Sequence, residues 1–239
     1  MKLSDRMPKR LLDGLYGVTP LPDGGFLLDR GKGIVRYSAD LNAAPTMIAP
    51  HCLSHCDNIV LSRDGTMYAF EDTTSIVVRR LDATASDPDV ARFQGQGVYY
   101  FHPSWLSDGR IAFYSRGIGL FVATIGGAPT RLDPNLNDPQ DPAVSPDGTQ
   151  IPFIMNGGNK ELYVMTIDGM DLRQLTNGGG TFSAGKWSPD GRYLVVQSGV
   201  LKEYVDFIRV SDGKVFGHLK SSDSKYVSFL HDFVWELYP

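Results

Sequence analysis

The sequence predicts an all-β fold, a β-propeller made of four-stranded antiparallel blades. The main observation is a turn signature ending in Asp-Gly, which recurs along the chain with 39 to 44 residues between successive glycines: Gly24, Gly65, Gly109, Gly148 and Gly191. Short apolar segments flank every copy, and the composition, with 26 Gly, 15 Pro, 11 Tyr and 12 Phe, is rich in turn and strand formers. A unit of this length that repeats along the whole chain is typical of a propeller.

The turn chemistry explains why each unit is a meander. In the copies that read Ser-Pro-Asp-Gly, Pro presets φ near −65°, Asp can bond to nearby backbone and Gly takes the positive φ of a tight hairpin. A second strand follows each signature, and a third and a more polar fourth strand come after it. The predicted second strands are 26–28, 67–70, 111–114, 151–154 and 193–196, and one predicted fourth strand is Leu172–Thr176. A single such sheet leaves both faces open, whereas radial stacking buries them.

Five complete units run from Tyr16 to Leu219, and the residues before and after them amount to about one more blade. The tail places Trp235 where two innermost strands have Trp105 and Trp187, and the head 8–12 resembles an outermost strand. We therefore predict six blades, the last closed by both termini, with five blades as the alternative. Residues 1–239 form one domain in either case, because no linker interrupts the repeats.

Composition and charge exclude several classes of protein. The formal net charge of −4 is spread without long runs of one sign, which argues against nucleic acid as a partner. No apolar stretch is long enough for a membrane span. The N-terminal residues lack the apolar run of a signal peptide, so we expect a cytoplasmic protein or a processed periplasmic form. We expect a monomer, and we expect Cys52 and Cys56 to be reduced, since they would lie too far apart on one extended strand.

The repeats resemble the TolB-type propeller family, a relative of WD-type repeats. The resemblance is carried by the Ser-Pro-Asp-Gly copies, by Trp-Ser-Pro-Asp-Gly at 187–191 and by residues 161–176, and it extends in weaker form over the whole chain. The family includes periplasmic adaptor proteins, non-catalytic domains of prolyl-oligopeptidase-like enzymes and some sugar lyases. The resemblance thus implies a fold but does not select one function.

Several polar residues occupy equivalent positions of the repeat, and in a propeller such positions lie together at one mouth of the central channel. Side chains seven or eight residues before the turn glycines, or at the equivalent place in the tail, are expected to meet there: Asn58, His102, Asp141, Gln140, His231 and Asp232. Such groups can bind a peptide terminus, a sugar or a divalent metal. The alternative is a polar wall that holds ordered water. Tyr100, in an aromatic run that does not repeat, is the best candidate for an exposed contact.

We therefore predict a binding or scaffolding propeller that recognises a protein or peptide through its mouth and loops, without catalysis and without a cofactor. The rival hypotheses use the same His and Asp residues. One is a metal-assisted lyase or hydrolase of carbohydrates, which would need a divalent metal, and the other is a sensor of a small ligand. Neither the nucleophile elbow of the α/β-hydrolases nor a phosphate-binding P-loop occurs in the sequence.

Overall fold

The computed structural model describes residues 18–220 except 31–32, 41, 51–55, 95–99, 116, 133–134, 137, 157–158, 179, 181–182 and 200–203. These residues form twenty strands in five sheets. Blade 1 contains β1 (Thr19–Pro20), β2 (Phe26–Asp29), β3 (Gly33–Tyr37) and β4 (Thr46–Pro50). Blade 2 contains β5 (Cys56–Leu61), β6 (Met67–Asp72), β7 (Ser75–Arg80) and β8 (Ala91–Gln94). Blade 3 contains β9 (Tyr100–Trp105), β10 (Ile111–Ser115), β11 (Gly119–Ala123) and β12 (Thr130–Arg131).

The last two described blades follow the same plan. Blade 4 contains β13 (Pro139–Gln140), β14 (Gln150–Asn156), β15 (Lys160–Thr166) and β16 (Arg173–Gln174). Blade 5 contains β17 (Ser183–Trp187), β18 (Tyr193–Ser198), β19 (Tyr204–Arg209) and β20 (Val215–Lys220). Every sheet is antiparallel with its strands in chain order, so each blade is a four-stranded meander. The predicted β-propeller architecture is confirmed, and within the described residues every segment with regular structure is a strand.

The core lies in the seams between blades. Among the described residues, four clusters of buried apolar side chains occur, and each joins two successive blades. Between blades 2 and 3, for example, the rings of Phe93 and Phe113 stack with their centroids 5.6 Å apart. Radial stacking therefore buries the sheet faces that a single meander would leave in water.

The repeated tryptophans join the blades by equivalent hydrogen bonds. Trp105 Nε1 of blade 3 donates to the Val60 carbonyl of blade 2 at 3.2 Å, and Trp187 Nε1 of blade 5 donates to the Ala143 carbonyl of blade 4 at 2.8 Å. Both tryptophans pack at seams between blades. Trp235, which aligns with them in the repeat, lies outside the described residues.

The predicted sixth blade falls on 1–17 and 221–239, which also lie outside the described residues, so it stays a prediction.

The fourth strand of blade 4 is shorter than predicted. Only Arg173 and Gln174 pair with β15, whereas the predicted strand is Leu172–Thr176. Pro152 in β14 causes no break, because it pairs in register with Val164 of β15 and its carbonyl still accepts a hydrogen bond from the Ala143 N–H at 3.3 Å.

None of the described segments forms a helix that could cross a lipid bilayer.

Candidate functional site

The first strands of the five blades surround a cavity of about 920 Å³, which we call the channel. Residues from every described blade line it, among them Thr19, Ile59, Ser104, Pro142 and Gly185. Its two ends differ in structure. At the turn end, an Asp-Gly turn joins the first and second strands of each blade. At the other end, the mouth, the first strands begin.

The mouth residues share an unusual backbone conformation. Asn58, His102 and Asp141 are equivalent in the repeat, and their φ angles are 51°, 56° and 53°. In β5 and β9 this residue and the next one oppose a single residue of the neighbouring strand, which is a β-bulge. Asn, Asp and His are the side chains that best tolerate positive φ. The positive φ accordingly redirects the chain at each of these positions, and all three residues line the channel.

A chain of polar contacts crosses three blades at the mouth. Asn58 Nδ2 donates to Glu71 Oε1 at 2.7 Å, and the same oxygen accepts a hydrogen bond from the backbone N–H of His102. His102 Nδ1 lies 3.0 Å from Asp141 Oδ1. Glu71 is buried in β6, so one carboxylate fixes both a side chain of blade 2 and the bulge of blade 3.

The charge state of His102 follows from these neighbours. Burial alone would lower the pKa of His102, because it penalises the imidazolium form. The hydrogen bond to Asp141 and the negative charges of Asp141 and Glu71 act in the opposite direction and outweigh burial together with the nearby Lys186, so the pKa of His102 is raised. The side chains of His102 and Asp141 are still 26% and 22% exposed, so a ligand in the channel can reach them.

The structure brings together only part of the predicted site. Asn58, His102 and Asp141 line the channel, but Gln140 belongs to a neighbouring network, where Nε2 donates to Asp138 Oδ2 at 2.9 Å and Oε1 accepts from Lys160 Nζ at 3.2 Å. His231 and Asp232 lie outside the described residues. Tyr100 belongs to β9, but its side chain is likewise outside the described part of the structure.

Four charged residues that line the channel were missed by position matching: Asp29, Arg63, Glu71 and Lys186. Asp29 and Glu71 occupy the same register in the second strands of blades 1 and 2, opposite Ile34 and Ile76. The sequence does contain a signal for Glu71, which follows the apolar run Met67–Phe70 without a turn residue between them. Matching only the first strands could not reveal it.

The expectation of reduced cysteines is wrong for Cys56, which is disulfide-bonded. Cys52, the other cysteine in the sequence, lies outside the described residues. One extended strand through both positions would hold the two cysteines apart, but β5 begins only at Cys56. Cys56 also lines the channel, and its backbone N–H donates to Asp29 Oδ2 at 3.3 Å.

Among the residues that the structure describes, no three His, Cys, Asp or Glu side chains are grouped so that they could hold a metal ion. His231 and Asp232, the two residues of the tail that were predicted as possible metal ligands, lie outside the described residues.

Comparison with known proteins agrees with the architecture. No known family model matches the chain. Over 177 residues the chain is 25% identical to an uncharacterized protein of Agrobacterium fabrum, and the match covers 70% of this chain but only 59% of that relative. The chain thus spans less than two thirds of the length of the curated relative it matches.

Solved structures show the same fold at low sequence identity. A protein provisionally assigned as TolB from Agrobacterium tumefaciens superposes with a TM-score of 0.65 at 20% identity, over 85% of this chain and 80% of its own. A chain of the mitotic checkpoint complex superposes with a TM-score of 0.66 at 13% identity, over 87% of this chain and 65% of its own. This protein therefore has a β-propeller fold of the TolB-like and WD type.

Proposed function

We propose that this protein is a binding propeller that accepts an extended segment of a protein partner through the mouth of its channel. The observation that carries the proposal is the channel itself, a cavity of about 920 Å³ with the Asn58–Glu71–His102–Asp141 chain at its mouth. A concave site of this size with a few convergent polar groups is the usual form of a binding site.

The walls suit a peptide. Beyond the mouth the lining includes Ile59, Pro103, Trp105 and Pro142, so apolar surface lies directly below the polar groups. An extended peptide offers backbone N–H and C=O groups to the mouth and side chains to this apolar wall. The polar side chains at the mouth are held by bulges and by one another, so little conformational entropy would be lost when a ligand binds.

The fold comparison is consistent with a protein partner. A chain of the mitotic checkpoint complex, a multiprotein assembly by name, has the same fold. That likeness concerns architecture, and the identity of a partner for this protein is part of the proposal.

Peptide display on the immobilised protein tests the proposal. We expect enriched peptides whose affinity falls at least about tenfold, or about 1.4 kcal/mol, in His102→Ala and in Asp141→Ala. Gln140→Ala is the matched control, because Gln140 precedes Asp141 in sequence but contacts Asp138 and Lys160 instead of the channel. Peptides that bind all three variants equally well would place recognition elsewhere.

Metal analysis of the purified protein distinguishes the rival hypothesis. The binding propeller is expected to contain no stoichiometric Mn, Zn or Ca. One equivalent of such a metal, lost together with carbohydrate cleavage in His102→Ala, would favour the metal-assisted enzyme. A small-ligand sensor would be indicated if sugars or organic acids, but no peptides, competed at the mouth.

A further inference from the structure

Arg63 occupies a position where three other blades have proline. The signature reads Pro-Asp-Gly at Pro22, Pro146 and Pro189, whereas blade 2 has Arg63-Asp64-Gly65. Proline at this position favours the turn by presetting φ. Blade 2 lacks that local contribution and has a cationic side chain at the turn end of the channel instead.

The Arg63 side chain spans the turn end of the channel. Its guanidinium donates to the Ser145 carbonyl at 2.6 Å and also to the Pro146 carbonyl, both in the turn of blade 4. The contact joins blade 2 to blade 4, and Arg63 and Pro146 both line the channel. One side chain of blade 2 thus forms a floor opposite the mouth.

No carboxylate among the described residues forms an ion pair with Arg63. The arginines at other turns behave differently, since Arg110 pairs with Asp108 at 2.7 Å and Arg192 with Asp190 at 2.6 Å. Asp64, next to Arg63, bonds instead to Ser62 and Thr66. The two carbonyls use only part of the five N–H donors of a guanidinium, so charge and donors remain at the floor of the channel.

We propose that Arg63 is the subsite for a carboxylate of the peptide that enters through the mouth. The inference rests on the proposed function and adds the chemical class of the ligand. A guanidinium held in place binds a carboxylate with planar, paired hydrogen bonds. Five residue steps from Asn58 to Arg63 span at most about 17 Å at about 3.3 Å per extended residue, so up to about five extended peptide residues reach the floor. The carboxylate belongs to an acidic side chain or to the carboxyl terminus.

Titration with acetate tests the subsite without any peptide. We expect the Arg63 Nε–H signal in ¹⁵N NMR spectra to shift saturably with sodium acetate and to stay in place with sodium chloride at the same ionic strength. Arg110 is the internal control, because Asp108 already occupies its guanidinium. An Arg63 signal that moves no more with acetate than with chloride would overturn the proposal.

Matched peptides then identify the source of the carboxylate. Peptides selected on the wild-type protein are compared with versions that carry a C-terminal amide or Gln in place of Glu. We expect one of these changes to weaken binding at least tenfold in the wild type and to have no effect in Arg63→Ala. Arg63→Lys keeps the positive charge but lacks the planar, paired N–H donors, so the two peptide changes should weaken its binding to an intermediate degree. Arg110→Ala should behave as wild type.

The outcomes separate this inference from the proposed function. If selected peptides depend on His102 but are indifferent to Arg63 and to both carboxylate changes, the mouth binds peptides and the carboxylate subsite is wrong. If acetate binds at Arg63 but no peptide depends on His102, the subsite stands and the proposed function fails. Thermal denaturation of Arg63→Ala shows whether the variant is folded, and Arg63→Lys provides the test if it is not.

Discussion

The two ends of the channel differ in what recurs from blade to blade: side-chain hydrogen bonds at the turn end and a backbone conformation at the mouth. At the turn end the side chains recur: Ser62, Ser145 and Ser188 each donate to the aspartate two residues on, at 2.5 to 2.6 Å. At the mouth the backbone recurs, because the equivalent residues of blades 2, 3 and 4 share φ angles of 51° to 56° while their side chains are Asn, His and Asp.

This difference separates what the fold requires from what it leaves open. Every blade must reverse its chain at the turn, and all five turns use Asp-Gly, with Ser two residues before the Asp in blades 2, 4 and 5. The bulge at the mouth needs only a residue that tolerates positive φ, and several side chains meet that condition. A propeller can therefore change its ligand at the mouth without changing its turns. The comparison predicts large stability effects at the turn end and small ones at the mouth.

The largest effect is expected from a glycine in the turn that joins β19 and β20, at the same end of blade 5 as its first Asp-Gly turn. Gly213 has a φ of +71°, and a Cβ there would lie 2.1 Å from the Leu175 carbonyl oxygen of blade 4. Gly213→Ala should therefore lower the free energy of unfolding by about 3 kcal/mol, through backbone strain and a forced shift of the seam. Urea denaturation measures the change.

Gly109→Ala is the matched control for that substitution. Gly109 also has positive φ, +83°, but a Cβ there would meet no atom within 4 Å. The expected loss is about 1 kcal/mol, from strain alone. Equal losses in the two variants would show that the contact between blades 4 and 5 contributes nothing.

A smaller effect is expected when the turn carboxylates are protonated. Hydrogen bonds from Ser188, from the backbone N–H of Arg192 and from its side chain lower the pKa of Asp190 from 3.8 to about 2. The pKa of Asp212 is likewise lowered to about 2, first by Arg209. A lowered folded-state pKa stabilises the protein above pH 3.8, and this contribution is lost as the pH falls toward 2.

Urea midpoints measured between pH 5 and pH 2 should therefore decline, and Asp190→Asn should show a shallower decline from a lower starting value. The ¹³C carboxyl signal of Asp190 should titrate near pH 2. A titration close to pH 3.8 would mean that the hydrogen bonds from Ser188 and Arg192 do not favour the charged form of the Asp190 carboxyl group over the neutral form.

Periodic turn chemistry is why so much of the fold could be predicted from the sequence. The Asp-Gly signatures located all five described meanders, because each turn is determined by residues within the turn itself. The site was harder to predict. Asn58, His102 and Asp141 were found by position in the repeat, but Glu71 and Arg63 act across blades, on His102 and on Ser145. Contacts between residues 31 and 82 positions apart depend on how the blades pack, which no local pattern encodes.

The smallest effect is expected at the mouth, from Asp141→Asn. Removing this charge should lower the pKa of His102, because burial and Lys186 then oppose only Glu71. The raised pKa of His102 stabilises the folded state below about pH 6.5, and that contribution disappears as the pH rises through the raised value. At pH 7 the free energy of unfolding should change by less than about 1 kcal/mol. The imidazole Cε1–H signal of His102 in NMR reports the pKa.

Gln140→Ala is the control here too, since Gln140 makes its contacts with Asp138 and Lys160 and should leave the His102 titration unchanged. If Asp141→Asn lowered the free energy of unfolding as much as Gly213→Ala, the mouth would be a structural element like the turns. The variety of its side chains would then reflect packing between blades 3 and 4. A shifted His102 titration with nearly unchanged stability would instead mean that the bulges hold these groups for a ligand, because the fold itself does not depend on them.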